Sequence, residues 1–132
     1  EMFKTSKGKY VAPAPIENKI VGHECIDMVC VAGAECPQPH ALVMLSEETF
    51  PKFSDSEFRK EMEESLTALM AEVNNSVDPH EQLQFMTVVN EQWAIDNDFL
   101  TPTMKIKRNI IEDTYKPLQD DWYASRKKVI WQ

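Results

Sequence analysis

The sequence predicts an α+β fold: a leading β-hairpin followed by a small sheet with helices packed on it. Three observations carry the prediction. The chain opens on two short strand-like pieces around a glycine, Phe3 to Val11. Two apolar runs of strand length follow, Ile26 to Val31 and His40 to Leu45. One strongly periodic amphipathic helix then begins near Ser54. Short strands and helices intermixed at this length imply one compact domain over residues 1–132, and 42% apolar with 27% charged residues is ordinary for such a core.

The elements follow in order. Phe3–Thr5 and Lys9–Val11 pair across Ser6-Lys7-Gly8, with Gly8 free to take the left-handed conformation a short hairpin loop needs. Pro13 and Pro15 stop the pairing. Pro15 suits the first position of a short helix that carries Ile16, Ile20 and Val21 on one side and closes at Gly22. The strands Ile26–Val31 and His40–Leu45 are joined by a breaker-rich loop, Gly33 to Pro39.

Ser54 and Glu57 have capping-box spacing. Phe58, Met62, Leu66, Leu69, Met70 and Val73 then recur every three or four residues along one face. Glu61, Glu63, Glu64 and Glu72 lie off that face and are assigned no chemistry. Asp78-Pro79 opens another short helix, with His80 in a first turn where the helix dipole disfavours its charged form. Leu83–Val89 reads as a strand, Trp93 and Phe99 as core cover, and Asn109–Tyr115 as a helix ended by Pro117. No element is read in Ala124 to Gln132.

Fourteen basic against twenty-two acidic residues, a formal charge of -8, argue against nucleic acid or anionic lipid as a general partner. Nine of the cations nevertheless fall in three clusters: Lys4, Lys7, Lys9; Lys105, Lys107, Arg108; and Arg126, Lys127, Lys128. The last reads as a solvated face. Cys25, Cys30 and Cys36, flanked by His23 and His40, lack the tight pairing of a zinc site, so no metal is assigned. Thiols in or beside a buried strand act as small hydrophobes, and the setting reads as reducing and cytoplasmic. No apolar run approaches the roughly 20 residues of a membrane span, and no signal peptide is visible.

The most informative segment is LTPTMKIKR, Leu100 to Arg108, which sets Lys105 behind a Thr-Pro-Thr lead-in and ahead of a second cationic pair, Lys107 and Arg108. It resembles the C-terminal lysine motif of adenylate-forming enzymes, and of their long-chain fatty-acid CoA ligase branch in particular. Met104 and Ile106 stand where that branch commonly has Leu. The opening EMFKTSKGKYVAPAPIE, Glu1 to Glu17, resembles the segment after the family's interdomain hinge, with Glu1 at the hinge's acidic last position. Val73-Asn74-Asn75, His80-Glu81-Gln82 and Trp93 follow the same branch in order.

The resemblance runs from residue 1 to about Tyr123 and implies the small C-terminal domain of a longer acyl-CoA synthetase. It implies a large N-terminal domain as partner, fatty acid, ATP and coenzyme A as substrates, and Mg²⁺ bound mainly by that other domain. Peripheral membrane contact of the parent is possible on this reading. Lys105 becomes the adenylation ammonium, and Lys4, Ser6, Lys7, Gly8, Lys9 and Tyr10 become a hairpin facing coenzyme A. Other expectations stay open: a fatty-acyl-AMP ligase, a luciferase-like enzyme, or a free-standing nucleotide- or protein-binding module.

Overall fold

A computed structural model describes all residues, Glu1–Gln132. The hairpin is present as β1 (Phe3–Lys4) and β2 (Tyr10–Val11), antiparallel. A four-stranded sheet follows in the order β3 (Ile26–Ala32), β4 (His40–Leu45), β5 (Met86–Val88), β6 (Val129–Trp131). β3 and β4 are antiparallel, and the two remaining pairings are parallel.

The sheet is covered on both faces. Along β4, Ala41, Val43 and Leu45 join the cluster of Ile16 and Ile20 from α1 (Pro13–Ile20) and Met62, Leu66, Met70 and Val73 from α2 (Ser56–Asn75). Leu42 and Met44 point the other way, into the cluster of Trp93, Leu100 and the α3 (Arg108–Ser125) residues Ile111, Tyr115 and Trp122. A strand buried on both faces needs no polar alternation, which is why His40–Leu45 reads as a continuous apolar run. No helix is long and apolar enough to cross a membrane.

Four expectations need correction. The first helix begins at Pro13, not Pro15; both prolines fit its opening turn, where the missing N–H has no partner to lose. The cap of α2 is Asp55, not Ser54: its carboxylate accepts the Phe58 N–H at 2.8 Å. Pro117 does not end the last helix, which continues to Ser125. Pro117 lies on the exposed side, so water can satisfy the carbonyl its ring leaves unpaired, and burial of Trp122 beyond it holds the last turns in place. Finally, Val129–Trp131, where no element is expected, forms the edge strand β6.

Candidate functional site

Lys105 stands on a tight loop closed at its base by the bridge between Leu100 and Ile106. Pro102 follows Thr101 in a turn whose ends are tied twice. The Met104 N–H donates to the Thr101 carbonyl at 2.8 Å, and the Thr101 N–H donates to the Lys105 carbonyl at 2.7 Å. The Thr101 hydroxyl accepts the Lys105 N–H at 3.1 Å and pairs with the Thr103 hydroxyl at 3.0 Å. Met104 adopts φ 66°, a left-handed conformation that turns the chain sharply before Lys105. The backbone is therefore organised while the lysine side chain stays exposed.

The two cations of that second pair, Lys107 and Arg108, are not free. Lys107 is ion-paired with Asp98. The Arg108 guanidinium forks onto Glu17 of α1, Nη1 to Oε2 at 2.6 Å and Nη2 to Oε1 at 3.0 Å. It also donates to the Val31 carbonyl at 3.2 Å and to Cys30 Sγ at 3.7 Å, and its Nε lies 3.4 Å from a Glu1 carboxylate oxygen. Glu17 meanwhile accepts the Val31 N–H at 2.8 Å. Burial alone disfavours the Arg108 charge, but the Glu17 hydrogen bonds and charge outweigh it and hold the group more firmly protonated than usual. The adjacent Cys30 thiol is pushed up to about 12 by burial, so it is inert at neutral pH. Of the motif's three cations, Lys105 alone is left for a ligand.

The groove beside Lys105, about 630 Å³, runs along the edge of β3. Ala14, Glu17 and Val21 of the first helical layer line one wall, and Met104 and Ile106 the other. The Lys105 loop and Asp27–Val29 of β3 line this same groove. The hairpin docks beyond that strand's other end: the Ser6 N–H donates to the Cys36 carbonyl at 3.0 Å, and the Glu35 N–H to the Lys4 carbonyl at 2.9 Å. Lys7, Gly8, Lys9 and Tyr10 project from it exposed, with Lys4 5.9 Å from the Tyr10 ring centre. Gly8 has φ 78°, as the loop requires. The structure thus gathers Lys4, Ser6, Lys7, Gly8, Lys9 and Tyr10 on one loop and keeps Lys105 apart from them. Glu1 lies on the lysine side, against Arg108.

Two other chemical-looking clusters have structural explanations. His23 Nε2 is 2.7 Å from the Ser65 hydroxyl, but Nδ1 accepts the Cys25 N–H at 3.0 Å. In the neutral ring the proton must then be on Nε2, which donates to Ser65 and leaves no base to activate it. Asp78, His80 and Glu81 bring ligand atoms within 4.8 Å of one another, yet this is a surface turn in which Glu81 is occupied by the Asp78 N–H at 2.9 Å.

The sequence reading named the Thr-Pro-Thr lead-in but missed the hydrogen bonds of the Thr101 hydroxyl, the role of Glu17 and the left-handed Met104. Thr101 carried a signal, since threonine hydroxyls bond nearby backbone groups in turns. Glu17 carried none.

The family model for the AMP-binding enzyme C-terminal domain matches residues 2–127. Human long-chain-fatty-acid-CoA ligase 1 is 30% identical over 140 residues, covering 96% of this chain and 20% of that protein. An Arabidopsis thaliana chloroplastic long-chain-fatty-acid-[acyl-carrier-protein] ligase is 26% identical over 123 residues, covering 90% of this chain and 16% of that one. Among solved structures, the adenylation domain of a carboxylate reductase from Mycobacterium chelonae superposes with a TM-score of 0.76 at 18% identity, over 93% of this chain and 19% of that chain. The chain spans about one fifth of the length of curated relatives such as these.

Proposed function

The chain belongs to the AMP-binding enzyme C-terminal domain family of adenylate-forming enzymes, and from that premise we propose that it is the mobile catalytic-lid domain of a long-chain fatty-acid CoA ligase. The observation that carries this reading is the motif's one free ammonium, Lys105, on a loop whose backbone is fixed while its neighbouring cations are spent on ion pairs.

The reaction has two steps. A fatty carboxylate attacks the α-phosphorus of ATP, giving acyl-adenylate and pyrophosphate; the thiol of coenzyme A then attacks the acyl carbon and AMP leaves. In the first step two anions must approach, and charge gathers on the α-phosphate. An ammonium held close to both lowers that barrier electrostatically, and a pre-set loop does so without reorganising. Lys105 is assigned this catalytic role.

The second step needs a path for pantetheine past backbone and positive charge for a phosphate-rich carrier. The hairpin of Lys4, Ser6, Lys7, Gly8, Lys9 and Tyr10 offers both, because Gly8 puts no Cβ at the tip. The two faces lie toward different ends of β3, so one rigid domain serves both steps by turning about the hinge at Glu1.

The donors here suit anionic ligands. Glu17 and Asp27 are the carboxylates of the Lys105 groove, and Glu17 is neutralised by Arg108, so Mg²⁺ accompanying ATP is assigned to the large N-terminal domain. Unpaired cysteines fit a cytoplasmic setting. The likeness to an acyl-carrier-protein ligase supports a second reading, in which the acyl acceptor is a carrier protein's pantetheine.

In the longer ligase, Lys105→Ala should cut acyl-adenylate formation by about 100- to 1000-fold, the cost of one transition-state donor. It should leave thioester formation from supplied acyl-adenylate intact. Equal loss in both half-reactions would remove the assignment.

A further inference from the structure

The Glu17–Arg108 pair does more than neutralise two charges. β3 is one of the sheet's two edge strands, lying between the α1 layer on one face and the α3 layer on the other. Its residue Val31 has an N–H and a C=O facing outward. Glu17, from α1, accepts that N–H at 2.8 Å; Arg108, the first residue of α3, donates to that C=O at 3.2 Å. The two side chains are bonded to each other by a bidentate fork and are 13% and 16% exposed, which puts the fork out of bulk water where its geometry is held. The pair therefore stands in for a missing neighbouring strand at Val31 and straps the two helical layers together around the sheet edge.

Arg108 is also only three residues beyond Lys105, and Ile106 and Lys107 between them are pinned by the bridge to Leu100 and the bond from the Lys107 N–H to the Phe99 carbonyl at 2.8 Å. The strap fixes one end of the lysine loop to α1 and β3. We infer that Arg108, through Glu17, is a positioning residue that sets where the Lys105 ammonium points during adenylation, and is not itself a contact to ATP. The inference rests on the role proposed for Lys105.

The test is a double-mutant cycle in the longer ligase, with Arg108→Gln, Lys105→Ala and the pair combined, each assayed in both half-reactions. Arg108→Gln should lower the adenylation kcat by about 10- to 100-fold, the range expected when a reacting group is misplaced by about an ångström, with KM for ATP and fatty acid nearly unchanged. Acyl-CoA formation from supplied acyl-adenylate should stay near the wild-type rate. In the Lys105→Ala background, Arg108→Gln should add nothing, since it acts through a lysine already gone.

Losses that multiply, or that strike both half-reactions equally, would overturn the positioning role. A crippled Lys105→Ala beside an unaffected Arg108→Gln would sink the strap alone. A Lys105→Ala enzyme that adenylates normally would sink the parent reading, and the strap with it. If Arg108→Gln fails to fold, Glu17→Gln carries the same cycle, because its amide oxygen still accepts the Val31 N–H while the charge and the fork are lost.

Discussion

Two glycines with positive φ offer a controlled comparison of what backbone strain and close packing each cost. At Gly8, φ is 78° and an added Cβ would meet nothing within 4 Å. At Gly33, φ is 142° and an added Cβ would come within 2.8 Å of the Pro39 Cα, 3.3 Å of the Gln38 carbonyl oxygen and 3.4 Å of the Phe3 ring. Gly8→Ala therefore incurs only left-handed strain, about 1–2 kcal/mol, offset by about 0.4–1 kcal/mol from a stiffer unfolded chain, for a net loss of about 0–1.6 kcal/mol. Gly33→Ala adds a collision with backbone that cannot rotate aside. Strain of about 1–3 kcal/mol plus overpacking of about 1–3 kcal/mol, with the same offset, gives a net loss of about 1–5.6 kcal/mol, centred about 2–3 kcal/mol above that of Gly8→Ala. Urea unfolding of the two variants measures the difference. Gly33→Ala no more destabilised than Gly8→Ala would show that the Gly33–Pro39 approach does not constrain the loop on which the hairpin rests.

Other outcomes follow from the same structure. Incubated with ATP, coenzyme A, Mg²⁺ and palmitate, the 132-residue chain should release no AMP above blank, because it lacks a phosphate loop and an acyl pocket; sustained turnover refutes its reading as part of a larger site. Burial depresses His40 to about 4, so between pH 4 and 6.5 the unfolded chain binds a proton that the native chain refuses. The stability carried by neutral His40 is complete above pH 6.5 and is lost as pH falls toward 4, by about 3 kcal/mol. His40→Phe should flatten that part of the pH–stability profile, and an unchanged slope contradicts the assignment. Pro117→Ala restores a helix donor on the exposed side of α3 and should raise stability by about 1–2 kcal/mol in thermal unfolding; a lower Tm would mean the proline is needed to seat Trp122.

The local signals in the sequence were legible where one residue type has one strong conformational reason. Gly8 marked the hairpin, the uninterrupted run His40–Leu45 matched β4 residue for residue, and the stripe from Phe58 to Val73 marked α2. Pro117 misled because proline is read as a helix breaker, while burial of Trp122 is a tertiary effect that local pattern does not contain. β6 is three residues long, too short for alternation to register, and it is formed by pairing with β5 some 40 residues earlier. Charge clustering likewise treats cations as solvated. It missed that Arg108 is engaged by Glu17, 91 residues away in sequence; the motif had already named Lys105, and the folded geometry added that its two neighbouring cations are paired.

The central claim is that Lys105 and the Gly8 hairpin serve different half-reactions from different faces of one domain. The most direct measurement sets Lys105→Ala beside Gly8→Trp in the longer ligase, recording fatty-acid-dependent pyrophosphate release and acyl-CoA formation from supplied acyl-adenylate. The account predicts a crossed pattern. Lys105→Ala loses pyrophosphate release by about 100-fold or more and keeps thioester formation, while Gly8→Trp keeps pyrophosphate release and loses acyl-CoA output because an indole fills the hairpin tip. If both variants lose the same half-reaction, or each loses both, the division between the two faces is wrong.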